Sequence, residues 1–393
     1  MEDGVKAGFL EIEDGKFSKF YDKDSDLTAD KDYGDKIIIP GIFDTHNHGC
    51  FGYSLLAPES IPTVEELKGY LKGLASSGVT GVLPTSTNIE IIRLLADNAS
   101  TLLDGARICG IHSEGPWGAR VGEKGVNTGY PKVDMEVAKE MVAAGQGLLK
   151  LVDVAPEIDG AIEAIKYFVS EGIHVGAYHT NANFEEANKG IDAGITVATH
   201  LGNVMTGLHH RDIGTLGACL LSPEVDCEII CDGMHVNLEM IKLYFMLKDM
   251  SKFIMISDNV HYAGLPVGTY SGMTKDLTSD RKTIYINEEG FVLSETGRLS
   301  GSSKPVIYGI KNLVEKVGLP LETVIKMSSL NPAKKYGYGD TKGSITEGKD
   351  ADFVVIDDDF NVMDTYCEGR HIFDHTKDVD LCNQAYLDAY KIA

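Results

Sequence analysis

At 393 residues and 43% apolar, the chain is long for one compact core but suits an α/β barrel with a satellite domain. A net charge of −23 leaves no basic footprint for a nucleic acid or an acidic membrane, although a phosphorylated small molecule needs only a local basic pocket. A mean hydropathy of −0.08, with no basic-plus-apolar leader and no long apolar run, leads us to expect a cytoplasmic protein without a membrane span. The seven cysteines, an odd number without CxxC pairs, read as reduced thiols, with Cys227 and Cys231 in core packing rather than ligation.

The first forty residues alternate in short stretches (7–13, 36–39) separated by acidic turns, which predicts small antiparallel strands. After Pro40-Gly41 the texture becomes apolar strand, loop and amphipathic helix, repeated. Strands are predicted at 42–45, 78–85, 107–112, 148–155, 174–178, 196–199, 227–231 and 253–257, with helices such as 63–77, 134–144, 158–171, 184–193 and 238–248 between them. That alternation predicts a (β/α)8 TIM-type barrel over 41–339, with a hairpin excursion at 268–300. The tail returns to strand at 353–356, and 340–393 would join 1–40 in a small β-sandwich domain built from both chain ends.

Five stations close the apolar runs. In Asp44-Thr-His-Asn-His-Gly49, His46 and His48 share one strand face and can bind one metal; a structural pair is the alternative, and the end of the first barrel strand favours ligands. In His112-Ser-Glu-Gly-Pro-Trp117, Glu114 is a carboxylate at a Gly-Pro turn, suited to ligation rather than helix capping, while His112 takes a core or supporting role. His179 and His200 close the fifth and sixth strands. Neighbouring barrel strands lie about 5 Å apart. Glu114, His179 and His200 can therefore converge as one carboxylate and two imidazoles with a position left for water. The loop after His200 also carries Asn203 and the basic run His209-His-Arg211, which can serve an anionic group. In Phe253-Ile-Met-Ile-Ser-Asp258 an apolar strand delivers one carboxylate, a natural general base for metal-activated water.

With these stations in order, the chain resembles the N-acetylglucosamine-6-phosphate deacetylases of the amidohydrolase superfamily. The matching segments begin with Pro40-Gly-Ile-Phe-Asp-Thr-His-Asn-His-Gly49, His112-Ser-Glu-Gly-Pro-Trp117, His179-Thr-Asn-Ala182 and Thr199-His-Leu-Gly-Asn203-Val-Met205. They continue through His209-His-Arg-Asp212, Cys231-Asp-Gly-Met-His-Val236, Ser257-Asp258, Leu299-Ser-Gly-Ser-Ser303 and Gly343-Ser-Ile-Thr-Glu-Gly-Lys-Asp-Ala-Asp352. The last is superfamily-wide; Glu-Gly-Pro-Trp, Thr-His-Leu-x-Asn and Asp-Gly-x-His are more specific. The resemblance implies that Glu114, His179 and His200 bind the main divalent metal and that Asp258 is general base and acid. It implies that Asn203, Arg211 and His235 hold a sugar phosphate and that His46 and His48 serve members with a second ion. Zinc leads among the candidate ions, and iron, manganese and cobalt also accept this ligand set. The implied reaction releases acetate from N-acetylglucosamine 6-phosphate in amino-sugar catabolism, in a homodimer.

Three positions depart from the family pattern. Lys124-Gly-Val-Asn127 ends in Asn where a His reaches the acyl carbonyl, so Asn127 becomes the candidate donor; Gly202 replaces an aromatic; and Asn259-Val-His-Tyr262 replaces small residues. They leave room for another N-acyl hexosamine phosphate, such as N-acetylgalactosamine 6-phosphate. A cyclic amidase of the hydantoinase or dihydroorotase type often uses a carboxylated lysine late in strand four, whereas Lys150 lies near the start of 148–155. A superfamily member turned binding protein should have lost ligands, yet all five stations carry competent side chains.

Overall fold

The computed structural model describes residues 5–56, 61–121, 125–126, 132–272 and 281–392. Eight parallel strands form a barrel: β1 (Ile42–Asn47), β2 (Val79–Pro84), β3 (Ile111–Trp117), β4 (Leu149–Val154), β5 (His174–Ala177), β6 (Ile195–Ala198), β7 (Asp226–Ile230) and β8 (Phe253–Ile256). Strands β3 to β8 make one continuous sheet and β1 pairs with β2. Single bridges at Thr85↔His112 and Asn47↔Asn259 join the two sheets at both seams, closing the ring.

One helix follows each strand: α1 (Val64–Ala75), α2 (Ile89–Asn98), α3 (Met135–Gly145), α4 (Ala161–Ser170), α5 (Phe184–Ala193), α6 (Gly214–Leu221), α7 (Leu238–Leu247) and α8 (Val306–Asn312). Local chemistry starts several of them. Thr63–Glu66 and Asn183–Glu186 form reciprocal capping boxes for α1 and α5, and Asn88, Asp134 and Asn237 accept from the first amides of α2, α3 and α7. With helices outside and side chains filling the inside, every residue of β1 and β2 is buried. No helix among the described residues is long and apolar enough to cross a membrane.

The barrel interior is layered. Phe43, Leu83, Leu151 and Val197 pack with Tyr336 as an apolar plug. Two residues farther along the same strands stand Thr45, Thr85, Asp153 and Thr199, all buried. Period-two alternation on strands carries both sets inward, so the plug gives way to a polar layer. His112 belongs to that layer: its Nε2 lies 2.8 Å from Asp153 Oδ2, its Nδ1 lies 3.1 Å from the Thr45 carbonyl, and Thr199 donates to Asp153 Oδ1 at 2.8 Å.

A second unit unites strands from both ends of the chain. Ile37–Pro40 runs antiparallel to Phe353–Ile356, which continues to Val362–Cys367 and Arg370–Asp374. The hairpin Gly8–Glu13/Lys16–Asp22 covers this sheet, sealing Phe17, Ile345, Phe353 and Val355. The 268–300 excursion is a three-stranded antiparallel sheet of Gly268–Ser271, Thr283–Ile286 and Val292–Ser294. The terminal helix Gln384–Tyr390 leaves the tail sheet, and Tyr386 packs on Tyr262, Tyr270 and the excursion instead.

The third strand corrects the sequence reading. The 107–112 stretch is broken after Arg107–Ile108, and the barrel strand itself begins at Ile111 and runs to Trp117, through the Gly115-Pro116 expected to end it. A register shift against β4 accommodates the proline, as bulges do. Gly115 is at φ +99°, and a Cβ there would stand 2.0 Å from Tyr178 Oη, so only glycine fits.

Asp44 ties β1 to the start of the loop after β8. Its carboxylate accepts from the Ser257 amide and hydroxyl and from Asn47 Nδ2, and it is buried. Donors left unsatisfied in a core cost about 1–3 kcal/mol each. Asp44→Ala is therefore expected to lower unfolding free energy by at least about 2 kcal/mol, read from urea denaturation; an unchanged midpoint would remove Asp44 from the seam.

Candidate active site

Three strands deliver their functional residue in the same way. β5, β6 and β8 end at Ala177, Ala198 and Ile256, and two places on stand His179, His200 and Asp258, at φ +40°, +34° and +50°. Left-handed backbone is uncommon for non-glycine residues and gathers at functional sites, where surrounding structure must hold it. Here the supports are visible. The His179 carbonyl accepts from the Ala119 and Arg120 amides at 2.7 and 2.8 Å, and Glu157 takes the Thr180 hydroxyl and the Asn181 amide. The Leu201 amide bonds the Glu228 carbonyl, and the Asp258 amide bonds the His46 carbonyl.

These turns, with β1 and β3, bring six expected residues together. Glu114 Oε1 lies 3.0 Å from His200 Nε2 and 3.3 Å from His179 Nε2. Its Oε2 lies 3.1 Å from His48 Nε2 and 3.7 Å from His46 Nε2. Asp258 Oδ1 stands 3.3 Å from both His46 Nε2 and His48 Nε2. Glu114, His179 and His200 make one set of metal-competent donors, and His46, His48, Glu114 and Asp258 make a second, with Glu114 common to both.

The donor chemistry fits a cation. His48 Nδ1 faces the Thr85 carbonyl at 3.1 Å and His179 Nδ1 faces the Arg120 carbonyl at 3.0 Å. A carbonyl only accepts, so both Nδ1 atoms carry the hydrogen and both Nε2 atoms offer a lone pair to the cluster. The Nε2 atoms of His46 and His48 approach to 3.1 Å with two carboxylates beside them, the ligand set of a divalent metal site. Without an ion the charges answer one another. Burial would raise Glu114, but hydrogen bonds from the four histidines hold it well below the usual carboxylate range. Burial is likewise outweighed at Asp258, which His46 and His48 lower to about 2, and at His48, which the two carboxylates raise to about 9.

The expected substrate residues lie on neighbouring loops. Asn203 is half-buried, its amide bonded to the His200 carbonyl. Arg211 is exposed on the same loop, and no carboxylate among the described residues pairs with its guanidinium. His235 donates from Nδ1 to Asp232 Oδ2 at 2.6 Å, leaving Nε2 for a ligand. Arg211 makes no hydrogen bond or ion pair with the donor cluster among the described residues, and Asn127 lies outside them. Sequence reasoning passed over Asp232, Asp153 and Glu228. Asp232 sits two places beyond β7, the same offset as the other stations, which was the available signal. Asp153 and Glu228 lie inside strands and gave none.

The amidohydrolase family model matches residues 37–372. The chain is 31% identical over 389 residues to the N-acetylglucosamine-6-phosphate deacetylase of Bacillus subtilis, covering 94% of this chain and 93% of that one. It is 29% identical over 343 residues to the N-acetylgalactosamine-6-phosphate deacetylase of Escherichia coli O157:H7, covering 85% and 87%. The crystal structure of the N-acetylglucosamine-6-phosphate deacetylase from Pasteurella multocida superposes with a TM-score of 0.80 at 26% identity, covering 94% of this chain and 96% of that one. A barrel with this donor cluster, matched over most of its length by such relatives, places the chain in the amidohydrolase family, within its N-acetylglucosamine-6-phosphate deacetylase branch.

Proposed function

We propose that the enzyme hydrolyses the acetamide of N-acetylglucosamine 6-phosphate to glucosamine 6-phosphate and acetate. The observation that carries this reading is the division of Glu114, one oxygen towards His179 and His200 and the other towards His46 and His48, with Asp258 on the same cluster. Glu114, His179 and His200 would hold the principal ion, zinc in our reading, and His46 and His48 a second. A divalent ion there supplies Lewis acidity to the amide carbonyl and brings the pKa of water down towards about 7.

The chain's own groups do the rest. Asp258, kept ionised by its imidazole neighbours, accepts at Oδ1 the proton of the attacking water and returns it to the amine nitrogen as the C–N bond breaks. Asn127 donates its amide to the acyl oxygen as charge develops there. Arg211 offers a planar fork to the phosphate, an electrostatic anchor in an otherwise acidic chain, and His235 Nε2 and Asn203 complete it. The dimer is also a proposal: α7 exposes Met240, Leu243, Met246 and Leu247, an apolar face that a second copy would cover.

A second reading, N-acetylgalactosamine 6-phosphate as the better substrate, draws on Gly202. It stands at φ +83° with Tyr244 Oη 2.2 Å from where a Cβ would be, so no side chain fits where an aromatic was expected.

Three outcomes test the proposal. Elemental analysis should find at least one divalent transition metal per chain, and His200→Ala should lose metal and activity together; full turnover by metal-free enzyme would refute the mechanism. Asp258→Asn keeps the shape but cannot take the water proton, so kcat should fall about 10²–10⁴-fold with metal retained. Charge-assisted hydrogen bonds contribute about 1.5–3 kcal/mol. Arg211→Ala should accordingly cost roughly 10–150-fold in kcat/KM on both 6-phosphorylated N-acetylhexosamines and leave the unphosphorylated sugars unaffected. A wild type indifferent to the phosphate would overturn the substrate class.

A further inference from the structure

Beneath the donor cluster, β7 buries a carboxylate that the proposed chemistry does not use. Glu228 is fully buried, and no lysine or arginine pairs with it among the described residues. Its Oε1 accepts from Thr45 Oγ1 at 2.6 Å. Among the described residues its Oε2 has no hydrogen-bond partner, and 3.8 Å away lies His46 Nδ1, also sealed from water and also without one. An acceptor and a potential donor thus face each other in the barrel core, each the other's nearest means of satisfaction. Buried polar groups are rarely left so, and a buried carboxylate oxygen without a donor is costlier still.

The orientation of His46 gives the pair its meaning. Its Nε2 points at Glu114, Asp258 and His48, so its Nδ1 is the nitrogen turned down to Glu228. His48 and His179 have their Nδ1 atoms anchored by the Thr85 and Arg120 carbonyls; for His46 the corresponding group is a carboxylate. We propose that Glu228 is a positioning residue for the His46 side of the cluster. Its Oε2 accepts the Nδ1 hydrogen of His46, fixes the tautomer with the Nε2 lone pair facing the donors, and makes that nitrogen more basic than a carbonyl partner would. Thr45 holds the carboxylate in register by occupying Oε1. The buried charge is then matched by the cation that His46 helps to bind, which accounts for a glutamate in the middle of a barrel strand. This inference rests on His46 and His48 holding a second ion.

Zinc titration of the metal-free full-length enzyme against a chromophoric chelator tests it, with His46→Ala as reference. Wild type should take up two equivalents and His46→Ala should remove one. Outer-shell partners of metal-bound histidine are worth about 10–100-fold in affinity. Glu228→Met should weaken by that factor the same equivalent that His46→Ala removes, leave the other unchanged, and not lower the thermal midpoint of the metal-free protein. Glu228→Gln, which keeps an acceptor but no charge, should fall between, and it decides the matter if the Met variant does not fold. Two equivalents at wild-type affinity in the Gln and Met variants would overturn the role of Glu228 and leave the second ion standing. Loss of affinity at both equivalents with a lowered midpoint would make Glu228 merely structural. A wild type that binds one equivalent, untouched by His46→Ala, would overturn the second ion and the role of Glu228 with it.

Discussion

The mouth of the barrel is organised around one shared carboxylate. Glu114 lies within reach of four imidazoles, two on each oxygen, and a buried carboxylate can be kept ionised only if its neighbours replace the water it has lost. That requirement dictates much of the surrounding structure. His179 and His200 must leave their strands in left-handed turns, and those turns must be braced from behind by Glu157, the Ala119–Arg120 amides and the β7 backbone. The Nδ1 contacts beneath His48 and His179 then aim their Nε2 atoms at the place where the carboxylate waits.

Such a concentration of polar groups is tolerable because the barrel separates its tasks by depth. The Phe43, Leu83, Leu151 and Val197 plug supplies packed apolar core at one end. Two residues farther along the same strands, threonines and Asp153 make the transition, and His112 bonds across it to the Thr45 carbonyl and to Asp153. Helices capped by their own side chains need nothing from the mouth. Chemistry can therefore occupy the strand ends, while the packed layer beneath holds the strands in register.

In so acidic a chain an exposed cation with no carboxylate partner is informative. Arg211 stands outside the cluster, on the loop that follows His200, with no carboxylate to neutralise it among the described residues. His200 and Arg211 thus stand at different depths of one loop, the first buried and the second open to solvent. His235 reaches the same mouth from β7, its ring fixed by Asp232.

The residue order by itself determined the alternation of strand and helix, the pairing of the two chain ends, and the stations carrying His46, His48, Glu114, His179, His200 and Asp258. Periodicity and strand-end position are local properties, so they can be read without knowing what lies opposite. Local reading failed where a neighbour overrules it. Gly115-Pro116 looks like a stop, but a register shift against β4 and the close approach of Tyr178 keep β3 running to Trp117. Glu228 and Asp153 carry no local signal within their strands and gain meaning only from Thr45, His46 and His112, which come from other strands. Which side chain faces which across a closed barrel is fixed by register and closure, a property of the assembled sheet that no single strand contains.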